Sequence, residues 1–170
     1  MSDVFVVYGS ATGVTEGIAR RLAERFRGAE VIEAARLDES VAASFAGARL
    51  VLLGTSTWGF GDLQDDWHAK LPVLENASLN GVKVAVFGTG DQESYPDTFV
   101  DGIGIIAEAA EKAGATIVGL TSTDGYTFDG SRAVRDDKFL GLAIDEDNQS
   151  DMTDDRLEAW IAQLQTATAT

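Results

Sequence analysis

The chain has 170 residues, 45% hydrophobic and 24% charged, with a formal net charge of −15, no cysteine and one histidine. That describes one globular domain with room for a core. It excludes a membrane span, nucleic acid and anionic lipid as natural partners, and disulfides, thiolate metal sites, iron–sulfur clusters and cysteine nucleophiles. The N-terminal stretch has an acid and no basic segment before its apolar run, so no secretory leader is read and a cytoplasmic location is expected.

The run VFVVY (4–8) predicts a buried strand. The loop GSATGVT follows, with the hydroxyls Ser10, Thr12 and Thr15, the glycine Gly13, and no Lys or Arg. Ile18, Leu22 and Phe26 then share a helical face, with Gly28 as the stop. EVIEAA (30–35) alternates, as suits a strand nearer an edge. LVLLG (50–54) predicts a second buried strand, followed by the loop GTSTWGFGD (54–62). Leu63 to Leu74 predicts a helix that Pro72 must bend or end. VKVAVFG (82–88) is a third buried strand, followed by GTGDQESYPD (88–97). Ile103, Ile106, Ala107 and Ala110 form a helix ending at Gly114, a left-handed cap. ATIVGL (115–120) begins the last strand; an insertion at about 122–138 splits it, and FLGLAI (139–144) resumes it. Leu157, Trp160, Ile161 and Leu164 form the last helix, opened by Thr153 as N-cap.

Strands alternating with helices predict an α/β fold: a doubly wound, five-stranded parallel sheet in the order 2-1-3-4-5 within a single domain, 1–170. The order reverses between the first and third strands, and ligands bind outside the carboxyl ends at such a reversal. Three decorated loops converge there. The first offers amides at a helix start and three hydroxyls, which suits a monophosphate. It lacks G-x-x-x-x-G-K-[ST] and G-x-G-x-x-G. Glu16 opposes an anion unless it turns to solvent. Trp58 and Tyr95, one in each of the other loops, are placed to sandwich a flat ring.

T-G-x-T at 12–15, S-T-W-G at 56–59, F-G-T-G-D-Q at 87–92 with Tyr95, S-T-D-G-Y at 122–126 and GLAIDEDNQS at 141–150 together resemble the flavodoxins over nearly the whole chain, and the insertion resembles their long-chain branch. The resemblance implies a low-potential one-electron carrier with non-covalent FMN, not an enzyme, that holds the flavin phosphate without a compensating cation. It implies that Ser10, Ala11, Thr12, Gly13, Val14 and Thr15 hold that phosphate. Thr57, Trp58, Gly59 and Phe60 would line the inner side of the ring, Thr89, Gly90, Asp91 and Tyr95 the outer side, with Asp147 near the ribityl chain. Thr98 stands where long-chain members often have Asn. The expected partners are basic redox proteins, such as an NADPH-dependent flavodoxin/ferredoxin reductase and an electron-accepting enzyme, meeting a monomer. The Trp58–Gly59 peptide is expected to flip on one-electron reduction.

The alternative on the same fold is an NAD(P)H:quinone reductase, which needs room over the ring that Trp58 and Tyr95 would cover. A phosphoacceptor domain needs an acid pair after the first strand and a late lysine, which are absent. No metal site is expected: Asp136, Asp137, Asp145 and Asp147 lack the spacing of a calcium loop. His68, Asp65 and Asp66 read as a solvated face, and Trp67 and Trp160 as core. Asp62, Asp65, Asp66, Asp91, Asp97, Asp145, Glu146 and Asp147 are expected to ring the flavin edge as a docking face.

Overall fold

The computed structural model describes residues 3–10, 12–58 and 60–169. The chain opens with β1 (Val4–Tyr8), α1 (Val14–Arg25) and β2 (Glu30–Glu33). A short helix α2 (Glu39–Ala43) follows, then β3 (Leu50–Trp58), the two-residue β4 (Asp62–Leu63) and α3 (Asp65–Glu75). After β5 (Lys83–Thr89) and α4 (Asp101–Lys112) come β6 (Thr116–Val118), β7 (Thr121–Ser122), β8 (Val134–Arg135), β9 (Lys138–Phe139) and β10 (Gly141–Ile144). α5 (Thr153–Ala167) ends the fold.

The parallel sheet runs β2-β1-β3-β5, and two strands share its last position. β6 lies beside Lys83–Ala85 and β10 beside Val86–Thr89. This is the expected order, with the fifth strand split. The insertion between the halves folds as a three-stranded antiparallel sheet, β7-β9-β8.

Consecutive apolar residues bury both faces of a parallel strand. Val4, Val6 and Tyr8, with Leu50, Leu52, Ala85 and Phe87, pack under α1 and α5 around Trp160. Phe5, Val7, Val51, Leu53, Val84 and Val86 face the other way, onto a core that holds Trp67, Ile103 and Phe139. The indole nitrogens are both used: Trp67 donates to the Gly54 carbonyl at 2.7 Å and Trp160 to that of Gly119 at 2.8 Å.

Several boundaries differ from expectation. β3 runs four residues past Gly54, because Ser56 is paired with Thr89 across the ladder and Thr57 with Leu63 of β4. The polar stretch is therefore strand, not loop. Leu63 belongs to β4, so the following helix starts two residues later. Pro72 does not end that helix. It sits in the last turn, where its carbonyl accepts from Asn76 N at 3.1 Å, and the helix continues to Glu75. α2 was not expected; Asp38 caps it by accepting from Val41 N at 2.8 Å, but five residues are too few to show an apolar period. Thr153 is the first residue inside α5 and not its cap. Met152 takes that place, and the Thr153 hydroxyl lies 3.2 Å from Glu146 Oε2. β6 stops short because the Gly119 carbonyl leaves the sheet to meet Trp160. Gly114 does follow α4 in the left-handed conformation expected of it, with φ +101°.

Candidate functional site

β1 turns into α1 through a glycine. Gly13 occupies the cap position with φ +93°, a conformation that costs a residue with a β-carbon about 1–2 kcal/mol. Its N–H donates to Ser10 Oγ at 3.0 Å, so the turn is held by its own hydroxyl. The next amides belong to the first turn of a 12-residue helix and have no acceptor within it. Glu16 does turn away: its carboxylate is paired with Arg20 one turn on, at 2.9 Å.

Beside this turn lies a cavity of about 420 Å³. Thr12 and Val14 come from the α1 turn. Ser56, Thr57 and Trp58 come from the end of β3, and Thr89, Gly90, Asp91 and Tyr95 from the end of β5 and the turn beyond it. Glu146 and Asp147 close it from the segment after β10. Three larger depressions, of about 580, 490 and 450 Å³, lie against the β2 edge, between α2 and α3, and between the 92–96 turn and the insertion; none is lined by more than one of the three loops. The smaller cavity is the chemically distinct one. Trp58 and Tyr95 line it while remaining 41% and 38% exposed. Ser56 is buried beside it with a hydroxyl that has no partner among the described residues. A buried unpartnered hydroxyl is costly.

Of the residues expected at the site, Thr12, Val14, Thr57, Trp58, Thr89, Gly90, Asp91, Tyr95 and Asp147 line this cavity. Ser10 and Gly13 stand behind it in the turn. Thr15 is buried, with its hydroxyl 3.3 Å from that of Thr89. Phe60 is not in the lining. It stands at the rim, 89% exposed and edge-on to Tyr95 with centroids 6.2 Å apart. Ala11 and Gly59 lie outside the described residues, and so does the peptide flip expected at Trp58–Gly59. Ser56 and Glu146 were not among the expected cofactor ligands. Ser56 stood inside a quoted motif, where a strand-end serine carries no mark of its orientation.

The electrostatics are one-sided, since none of the described residues that line the cavity is Lys, Arg or His. Burial pushes the Asp91 carboxyl up. The Ser94 amide, the Asn148 side chain, the Ser94 hydroxyl and the Glu93 amide overcome that and hold it below the usual range. Asp147 is pushed up, first by burial and then by the charges of Asp91 and Asp145. Asp145 itself is fully buried and so does not belong to a docking face, contrary to expectation. The arrangement can accept a flat ring between aromatics and an anion held by hydroxyls and amides.

Comparison with known proteins points the same way. A family model described as Flavodoxin matches residues 6–160. Flavodoxin of a Nostoc species is 44% identical over 157 residues, covering 92% of each chain. Flavodoxin of Trichodesmium erythraeum is 42% identical over 167 residues, covering 98% of each. Among solved structures, Fusobacterium nucleatum flavodoxin bound to flavin mononucleotide superposes with a TM-score of 0.89 at 26% identity, over 96% of this chain and 97% of that one.

Proposed function

The chain belongs to the flavodoxin family, and from that premise we propose that it is a low-potential one-electron carrier using one non-covalently bound FMN in the cavity between Trp58 and Tyr95. It is an electron-transfer protein and not an enzyme, and the quinone-reductase alternative is not favoured. The bound flavin supplies the redox chemistry; the protein binds, orients and tunes it.

The residues fit the group. The donor set is neutral: the α1 amides and the hydroxyls of Ser10, Thr12, Thr57 and Thr89. Such a set holds a phosphate by hydrogen bonds alone. Thr57 Oγ1 already accepts from Gly102 N at 2.9 Å, which leaves its proton free to donate. The observation that carries the placement is the cavity walled by Trp58 and Tyr95 beside the amides and hydroxyls of the α1 turn. In this reading Thr57, Trp58, Thr89, Gly90, Asp91, Tyr95 and Asp147 contact the flavin, and Phe60 covers its outer rim. Negative charge added within the cavity meets Asp91, Glu146 and Asp147 and no lining cation, on a protein of net charge −15, which lowers the potential.

Redox proteins are its partners. We propose that these partners are basic, which the net charge of −15 supports, and that they include, as the family resemblance implies, a reductase of the NADPH-dependent class and an accepting enzyme. A monomer in the cytoplasm is part of the same proposal; none of the helices among the described residues is long and apolar enough to cross a membrane.

The test is titration of the flavin-free chain with FMN and with riboflavin. FMN should bind at one equivalent, and riboflavin more weakly, because it lacks the phosphate. Equal affinities would overturn the phosphate site.

A further inference from the structure

Asp145 follows directly on β10. It is 0% exposed, yet no lysine, arginine or histidine nitrogen pairs with it among the described residues, and it is not part of the cavity lining. Both carboxylate oxygens act as acceptors. Oδ2 receives Gln92 N at 3.0 Å and Gln92 Nε2 at 2.7 Å. Oδ1 receives Asn148 N at 3.1 Å, and Asn148 Nδ2 lies 3.2 and 2.9 Å from the two oxygens. A buried charge without a cation is expensive, and it persists only where several donors converge on it.

Those donors belong to the wall of the site. Gln92 lies three residues before Tyr95. Its remaining amide oxygen accepts Thr127 N, from the insertion, at 2.6 Å. Asn148 Nδ2 also reaches Asp91 Oδ1 at 2.8 Å, and that same oxygen accepts Ser94 N at 2.9 Å and Glu93 N at 3.2 Å. Asp91 and Tyr95 line the cavity. One buried carboxylate therefore ties together the turn that carries Tyr95, the segment that carries Asp147, and the insertion.

We propose that Asp145 is a positioning residue for the outer ring wall: through Gln92 and Asn148 it holds the 91–95 turn so that Tyr95 stands opposite Trp58. The inference rests on the FMN reading above. It assigns ring binding to a support separate from the α1 turn that serves the phosphate. The two halves of the ligand are then separately adjustable.

The experiment compares the flavin-free parent with Asp145→Asn, Gln92→Glu and the double variant, using riboflavin, FMN and inorganic phosphate as probes. Asp145→Asn keeps the shape but turns one acceptor into a donor facing donors. Its affinities for riboflavin and FMN should both fall about tenfold, the scale of one charged hydrogen bond, while phosphate affinity stays at the parent value. Gln92→Glu sets two carboxylates face to face and should also lose ring affinity. The double variant restores a donor–acceptor pair and should bind riboflavin better than either single variant. Should Asp145→Asn fail to fold, Asn148→Ser removes the Nδ2 contacts to Asp145 and Asp91 while keeping both carboxylates, and carries the same expectation at smaller size.

Parent-like riboflavin binding by the variant tested would overturn the proposal. So would loss of phosphate affinity in the same proportion, which would mean general loosening, or a double variant no better than the worse single one. A parent that binds neither flavin would overturn the FMN reading and this inference together, whereas a normal parent with an unaffected variant overturns this inference alone.

Discussion

The hydroxyls of Thr15 and Thr89 lie 3.3 Å apart, although the residues are 74 positions apart in the chain. One sits in the first turn of α1 and the other ends β5, so the contact pins the anion turn to the opposite wall of the cavity. Thr15→Val should cost the free chain on the order of 1 kcal/mol in stability. Thr89→Val should cost a similar amount. In a double-mutant cycle the two losses should not add, because they share one hydrogen bond. Additive losses by urea denaturation would show the hydroxyls to be independent.

Ser56→Ala should touch the stability of the free chain and leave FMN binding alone. The free chain loses a buried hydroxyl that nothing satisfies, so it should be as stable as the parent or more so. FMN affinity should stay at the parent value, because that hydroxyl presents no accessible surface to the cavity. Paired melting and FMN titration read both effects; a free chain that is destabilised would refute the first.

Asp101 gives the fold a pH dependence of known sign. Burial pushes its carboxyl up, with the Arg132 amide and the Arg132 charge opposing. It is 5% exposed, and its Oδ1 accepts Arg132 N at 2.8 Å. A carboxyl whose pKa is raised by folding contributes stability that is complete below its ordinary value of 3.8 and is lost as pH rises through the higher folded value. Asp101→Asn should therefore gain on the parent as pH increases across that window. Urea midpoints measured against pH check it, and a constant difference would refute it. Gly61 tightens the same region: with φ +97°, a β-carbon there would stand 2.6 Å from Asp101 Oδ2.

Tyr126 should be the last tyrosine to ionise. Burial pushes its hydroxyl up to about 12, with Arg156 opposing and Asp145 assisting. The hydroxyl donates to the Ala143 carbonyl at 2.6 Å, and the Arg156 guanidinium lies 3.9 Å from the ring centroid. Its contribution to stability is whole below 10.0 and drains as pH climbs toward about 12. Near-ultraviolet titration of the parent and of Tyr126→Phe should show the highest-pH step vanish in the variant.

Asp62 is paired with Trp58 across the β3–β4 ladder, and Asp65 opens α3 just beyond. Charge reversal at Asp62, Asp65 and Asp66 should slow association with a basic reductase more than reversal at Glu24 or Glu30. Salt beyond about 0.1 M should narrow the gap, as the Debye length falls below roughly 10 Å. Equal slowing at both sets in stopped-flow mixing would mean that the charge serves solubility alone.

The strands and the three converging loops were legible because buried parallel strands need unbroken apolar runs and their ends stand out by contrast. The exit from β3 was not, since Ser56 and Thr57 look like loop residues until Thr89 of β5 pairs with the first and Leu63 of β4 with the second. Asp145 was read as a surface acid for a related reason. Its burial depends on Gln92, 53 residues away, and no local pattern announces that partner. Phe60 was expected at the ring from the family resemblance; the structure has it exposed and edge-on to Tyr95, outside the cavity lining. Long-range pairing decided Ser56, Thr57 and Asp145; local propensity did not.

The sheet divides the interior into two separate cores, and each holds one fully sequestered tryptophan, Trp67 on one side and Trp160 on the other, while the third, Trp58, faces the cavity. The chain thus carries three built-in optical reporters at three addresses. Replacing two at a time with phenylalanine would leave a single emitter for either layer or for the ligand wall, so that loosening of one layer, loosening of the other and arrival of a quenching ring could be timed separately in the same protein.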